Sequence, residues 1–235
     1  MTFHYLFQSN QVGLHKVNTM AGIWRWKTAQ YAERKWWQRY LKNKAVAPYL
    51  TWKKAYWETL LSTCHHYFVL KPEHHILDAG CGPAGVFIAL PNHNVTAFDP
   101  LIEEYENDLP HFKKNMYPNV QFVKAGLEEF NTDKTFDIIF CMNAINHVHD
   151  IKQSTDRLVS FASAGSYIII TIDAHTHSIF KKIFRLLPGD ILHPHQYDLN
   201  EYQRMFTSRG CSIEGTELLK HTFLFDHYML IVRKN

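Results

Sequence analysis

From Ile76 to Gly85 the chain reads Ile76-Leu77-Asp78-Ala79-Gly80-Cys81-Gly82-Pro83-Ala84-Gly85, an apolar run that ends in a glycine-rich turn. Glycines at such a strand-to-helix junction let backbone approach a ligand closely, and the helix N-terminus adds oriented N–H donors. The spacing Gly80-x-Gly82-x-x-Gly85 satisfies the dinucleotide pattern, which by itself is a weak signal. Asp78, two residues before the first glycine, changes the chemistry. A carboxylate there repels a pyrophosphate and suits a ligand with a cationic amino-acid end. Asp99 closes the next apolar run, 21 residues after Asp78, where an acid can accept from the two hydroxyls of a ribose.

Histidines are the other chemically active group. Six of the sixteen fall in three His-x-His pairs: His147/His149, His175/His177 and His193/His195. Imidazoles so spaced suit zinc or iron, but no acid or cysteine stands at supporting spacing, and no metal is expected. His147, in Asn143-Ala144-Ile145-Asn146-His147-Val148, is the general-base candidate, with a site-shaping histidine as the competing reading.

The elements that must position these residues alternate. Runs at 75–79, 94–98, 120–124, 136–142 and 167–172 read as strands. Helical stretches follow: 80–85 into a helix through Leu90, then Leu101–Asn115, then 151–162. Strand–helix alternation implies a parallel sheet covered on both faces. A helix at 199–209 ends at Gly210, and two closing strands at 212–218 and 223–232 are close enough to form an antiparallel hairpin.

At this point the sequence resembles class I S-adenosylmethionine-dependent methyltransferases. The motifs carrying the resemblance are Asp78-x-Gly80-Cys81-Gly82, the following Asp99, and Phe136-Asp137-Ile138-Ile139. It implies an α/β, Rossmann-like, seven-stranded and mostly parallel sheet with a C-terminal antiparallel hairpin, binding S-adenosylmethionine over the strand ends. By position, Asp78 and the Gly80–Cys81–Gly82 turn would face the methionine moiety, Asp99 the ribose, and Pro100 and Leu101 the adenine. Asn143 would lie near the methionine end. Many members carry an acid after the third strand that accepts from the adenine amino group. Here that place is Gly126, and the expected substitutes are the Leu127 backbone N–H with Glu128 or Glu129.

Charge and tryptophan divide the chain. Residues 1–57 hold ten Lys/Arg against the single acid Glu33, +9, and all six tryptophans, which leaves −6 for the rest of a chain of net +3. Residues 1–70 are expected to form an aromatic, basic helical cap, and 71–235 the cofactor-binding domain with an insertion at about 174–198. The cap has three readings: packing surface with a solvated basic face, a lid in which Tyr31, Arg34, Trp36 and Trp37 touch ligand, and a docking surface for an anionic partner. Tyr31 joins His147 as a catalytic candidate. The basic amphipathic stretch 178–187 adds to the case for peripheral membrane contact. Nucleic acid is not expected: the cofactor domain is acidic, and the Asn-Pro-Pro-Tyr-type tetrapeptide of amino-modifying relatives is replaced by Cys141-Met142-Asn143-Ala144.

Four scattered cysteines without a CxxC pair, no apolar run of membrane-spanning length and no signal-like N-terminus point to a cytoplasmic protein. The expected function is methyl transfer to O, N or C of a small-molecule or lipid-like acceptor. An NAD(P)-dependent oxidoreductase and a non-catalytic binding module of the same fold are the alternatives.

Overall fold

The computed structural model describes residues 26–175, 197–222 and 225–235. Its strands are β1 (Ile76–Ala79), β2 (Val95–Asp99), β3 (Val120–Lys124), β4 (Phe136–Met142), β5 (Ala162–His175), β6 (Cys211–His221) and β7 (Phe225–Lys234). They form one sheet in the order β3-β2-β1-β4-β5-β7-β6. The first five are parallel, and β7 runs antiparallel between β5 and β6. This is the expected architecture, closing hairpin included.

Central strands buried on both faces need apolar residues at every position, and the sequence supplies them. Along β7, Met229 and Ile231 enter the core on one face of the sheet, while Leu230 and Val232 enter the core on the other. Helices α1 (residues 26–41), α2 (Val46–Cys64) and α3 (Ile102–Asp108) cover the first face; α4 (Ile151–Phe161) and α5 (Leu199–Thr207) cover the second. Helix α4 starts where the Asp150 carboxylate accepts from the N–H groups of Lys152 and Gln153, and α5 at a capping box between Asp198 and Glu201.

The N-terminal helices are joined to this framework by packing. Tyr49, Trp57, Leu60, Leu61 and Cys64 recur at helical spacing on α2 and are buried with Ile76, Ile138 and Ile231 of the sheet. Each such large apolar side chain contributes roughly 1.5–3 kcal/mol by leaving water. The Trp57 indole N–H donates to the Ala84 carbonyl (2.9 Å), which ties α2 to the turn after β1. Helix α1 is anchored through Asp108, whose carboxylate accepts from Arg34 Nε (2.5 Å) and Gln38 Nε2 (2.9 Å).

Two expected helices are shorter than their sequence suggested. No α-helix follows β1; two 3₁₀ turns stand there, Gly82–Ala84 and Val86–Ala89, separated by extended Gly85. Val86, Phe87 and Ile88 are all buried, so this segment has no polar face to present to water, and Pro91 blocks continuation. Helix α3 stops at Asp108 rather than near Asn115 because the residue before Pro110, Leu109, is extended. Strand β5 is longer than expected: its register with β4 is interrupted between Phe136 and Ile138, and pairing with β7 carries it to His175.

Candidate functional site

The C-terminal ends of β1 to β5 open into a cavity of about 680 Å³ closed over by α1 and α2. Open α/β sheets bind ligands at this edge. The glycine turn forms its floor. Gly80 has φ +66°, and a β-carbon there would sit 2.5 Å from the Ala144 β-carbon, so both the conformation and the space demand glycine.

The first three donors of this turn are directed inward. The N–H groups of Gly80 and Cys81 both donate to the Phe98 carbonyl (2.9 and 3.1 Å). The Gly82 N–H donates to Asp99 Oδ2 (2.9 Å), and Asp99 Oδ1 accepts from the Leu101 N–H (2.8 Å). A phosphate placed over the turn would find three successive amides already committed and a carboxylate in the place an anion would take. Asp78 lies beneath the turn. It is buried, does not line the cavity, and its Oδ2 accepts from the Phe87 N–H (3.1 Å). Gly85 leaves it room, since a β-carbon there would meet that same oxygen at 2.5 Å.

Electrostatics concentrate on this spot. Burial pushes the carboxyl of Asp78 up to about 7. Asp99 is also pushed up to about 7, first by burial and then by the nearby charge of Glu33. Glu33, the lone acid of the basic segment, is held in the cavity wall by α1, accepts from the Tyr105 hydroxyl (3.4 Å), and is itself raised by burial. One cation faces these acids from α2: burial lowers Lys53 to about 8, and its ammonium lies 4.3 Å from the Trp57 ring centroid and 4.6 Å from that of Tyr56. Among the described residues Lys53 has no carboxylate partner within ion-pair distance.

Most residues singled out in the sequence meet here. Gly80, Cys81, Gly82, Asp99, Pro100, Leu127, Glu128, Asn143 and His147 line the cavity. Leu127 is buried with its N–H in the cavity loop, next to Gly126, whose missing side chain leaves space bounded by Trp26. Glu128 braces two loops. Its Oε1 accepts from the N–H groups of His149 and Asp150 (2.7 and 2.9 Å), which bonds the loop after β3 to the loop after β4. Asn143 has φ +54°, the one described non-glycine residue with positive φ, and its N–H donates to Thr171 Oγ1 (2.7 Å). A left-handed asparagine at a strand end costs backbone strain and is typical of a functional loop.

Three expectations are corrected. Asp78 supports the turn instead of facing the cavity. Tyr31 is 61% exposed and lines no part of the cavity, so its catalytic assignment falls. On α1 the inward stripe is Trp26, Gln30, Glu33 and Trp37, and Tyr31 stands about 100° around the helix from Gln30. Arg34 likewise turns outward to its ion pair with Asp108, whereas Trp36 and Trp37 do reach the cavity. His177, His193, His195 and the stretch 178–187 lie outside the described residues. Among the described residues no group of three His, Cys, Asp or Glu side chains could hold a metal ion.

Sequence reading missed one wall. At the far end of the cavity from Asp99, Asp173 of β5 and His227 of β7 are direct cross-strand partners, and His227 Nδ1 lies 2.8 Å from Asp173 Oδ1. Both line the cavity, with Lys220, the β6 partner of His227. Their separation of 54 positions in the chain explains why no local motif announced them.

The family described as a methyltransferase domain matches residues 76–165, from the first residue of β1 into β5. The matched segment is less than half of the chain. The ubiquinone biosynthesis O-methyltransferase of Rickettsia felis is 34% identical over 113 residues, 46% of this chain and 44% of its own length. That of Rickettsia prowazekii is 34% identical over 98 residues, 41% and 38% respectively. The chain thus spans less than half the length of these curated relatives. Among solved structures, 1,6-didemethyltoxoflavin-N1-methyltransferase from Burkholderia thailandensis, crystallised with 1,6-didemethyltoxoflavin and S-adenosylhomocysteine, superposes with TM-score 0.60 at 13% identity, covering 93% of this chain and 90% of that one. The YcgJ protein of Bacillus subtilis gives TM-score 0.61 at 16% identity, covering 76% and 97%. At these identities the likeness is one of fold. In the first case it covers more of the chain than the matched segment 76–165.

Proposed function

We propose that the chain is an S-adenosylmethionine-dependent methyltransferase acting on a hydroxyl of a small-molecule or lipid-like acceptor. The observation that carries this reading is the state of the glycine turn. Its amides at 80, 81 and 82 are spent on the chain's own acceptors, and buried acids surround it. Such a site disfavours the pyrophosphate of a nicotinamide dinucleotide and favours a cationic nucleoside.

S-adenosylmethionine supplies, when bound, a methyl group on a positively charged sulfur. Asp99, its carboxylate oriented by two backbone donors, would accept from the ribose hydroxyls. Pro100 and Leu127 would flank the adenine, with the Leu127 N–H as the polar contact and the Glu128 carboxylate holding that loop in place. Gly80, Cys81, Gly82 and Asn143 would line the methionine end, and Lys53 would answer the methionyl carboxylate. Asp78, below the turn, would act by fixing its shape. His147 would shape the passage toward the acceptor. The aromatic inner faces of α1 and α2 would exclude water from the transfer.

The relatives named for ubiquinone biosynthesis support oxygen as the acceptor atom. No described helix is long and apolar enough to cross a membrane. The four cysteines are free, which suits the cytoplasmic setting we propose. Calorimetry with S-adenosylhomocysteine and with NADH tests the reading. Binding of S-adenosylhomocysteine that is lost in Asp99→Ala is expected; NADH binding without any response to S-adenosylhomocysteine overturns it.

A further inference from the structure

The cavity is longer than the cofactor half of the site. Strands in a sheet lie about 4.8 Å apart, and the walls already assigned sit over β3, β2, β1 and β4. The remaining wall stands over β5, β7 and β6, beyond β4, and apart from Phe225 it is polar: Thr171, Asp173, His227, Lys220 and Thr222. Resting on the methyltransferase reading above, we propose that His227, positioned by Asp173, is the general base that takes the acceptor's hydroxyl proton, and that the acceptor is a phenol, catechol or enol.

The geometry carries this in four steps. Asp173 and His227 face each other in register across β5 and β7, so two rigid central strands, not loops, hold the pair. The Nδ1–Oδ1 contact of 2.8 Å places the imidazole proton on Nδ1 and leaves Nε2 as the basic nitrogen. No described residue hydrogen-bonds to Nε2. The side chains keep 22% and 35% of their exposure, and the surface they expose borders the cavity. A second pair on the same hairpin, His221 with Asp226 (2.5 Å), shows the contrast: its histidine is 67% exposed and stands away from the cavity. Lys220, paired with His227 across β6 and β7, lines the same wall, where its ammonium favours an oxyanion over a neutral hydroxyl. Acidic hydroxyls are the acceptors such a wall ionises with least cost.

The balance is simple. The acceptor O–H proton passes to Nε2, giving an imidazolium paired with the Asp173 carboxylate. The oxygen lone pair forms the new O–CH₃ bond as the S–C bond breaks, and that electron pair stays on sulfur as a neutral thioether. The proton then leaves to solvent, and no oxidant or metal is needed. His227 is the catalytic residue and Asp173 a positioning residue.

The test uses 4-nitrocatechol, whose ionised form is coloured, added to the full-length protein saturated with S-adenosylhomocysteine at a pH just below the probe's own ionisation. Wild type is expected to bind the probe with its ionised fraction raised above that in buffer. His227→Gln should lose that enrichment, and its kcat should fall on the order of 10²–10⁴-fold. Its affinity for S-adenosylhomocysteine should stay within about twofold, since the dyad stands outside the cofactor half. Asp173→Asn should lose part of the enrichment, while Tyr31→Phe, at a ring outside the cavity, keeps it. Should His227→Gln fail to fold, Asp173→Asn with retained S-adenosylhomocysteine binding decides. Enrichment and kcat that survive in His227→Gln, enrichment lost in Tyr31→Phe as well, or a wild type that binds S-adenosylhomocysteine but neither binds nor ionises the probe each overturn the assignment. A wild type that does not bind S-adenosylhomocysteine rejects the methyltransferase reading itself.

Discussion

Glu33 offers a way to measure the cost of the acid cluster. In the folded chain its carboxyl and that of Asp99 are both raised, by burial first. Between the ordinary carboxylate range and the folded value, the native state keeps protons that the unfolded chain has lost, so stability falls as pH rises through that window. For Asp99 the window runs from 3.8 to about 7, which at 1.36 kcal/mol per pKa unit is worth up to roughly 4 kcal/mol. Glu33→Gln removes one half-buried carboxylate and its repulsion of Asp99 while keeping an acceptor for the Tyr105 hydroxyl. Below the ordinary carboxylate range, where the folded and the unfolded chain both keep this proton, the two proteins should differ least in stability. By pH 8 the variant should be the more stable by on the order of 1–3 kcal/mol, the cost of a half-buried, incompletely paired charge.

Urea denaturation followed by tryptophan fluorescence from pH 4 to pH 8 reads this directly, because Trp26, Trp36 and Trp37 lie on α1 with Glu33, and Trp52 and Trp57 on α2. Both proteins carry the same sixteen histidines, whose contribution cancels in the difference curve and leaves that of the exchanged carboxylate. A difference that is flat with pH, or one in which the variant loses stability as pH rises, refutes the placement of Glu33 in a shared acid cluster.

Gly80→Ala should destabilise the fold by roughly 2–4 kcal/mol, since it adds a clash with Ala144 to a left-handed backbone; thermal unfolding measures it. Lys53→Met keeps the apolar stem against Trp57 but removes the cation, and should weaken S-adenosylhomocysteine binding about tenfold or more in calorimetry while leaving unfolding little changed. Asn143→Ala should cost about 1 kcal/mol in urea unfolding and Asn143→Gly nearly nothing, because only the first is penalised at φ +54°.

Where the sequence was informative, the physics was local. Strand β4 was readable to the residue because a continuously apolar run between polar segments has one stable home, the middle of a parallel sheet. Asp99 and the glycines were readable because a strand end and a turn place them within a few residues of each other. The phase of α1 was not readable. With Trp26, Tyr31, Trp36, Trp37 and Tyr40 on one helix, hydrophobicity alone does not say which aromatics face inward, and Tyr31 falls on the outer side. Lys53 and Glu33 were invisible for a related reason: in a charge count both disappear into a basic segment, although both are turned inward. Asp173 and His227 meet only through the antiparallel register of β5 and β7.

That division bears on how such a site takes on a new acceptor. The cofactor half is built from β1, β2 and the loops after β3 and β4, where backbone N–H groups donate to neighbouring segments: Gly80 and Cys81 to the Phe98 carbonyl, Gly82 and Leu101 to the Asp99 carboxylate, His149 and Asp150 to the Glu128 carboxylate. A substitution there disturbs the sheet as well as the ligand, so this half tolerates little change. The acceptor half is bounded by side chains alone, from α1, α2 and the β5–β7 wall, on backbone already satisfied by helix and ladder bonds. Exchanging Trp36, Trp52 or Lys220 changes the shape or charge of the cavity without breaking any bond that holds the fold, so acceptor specificity can diverge while the cofactor half stays fixed.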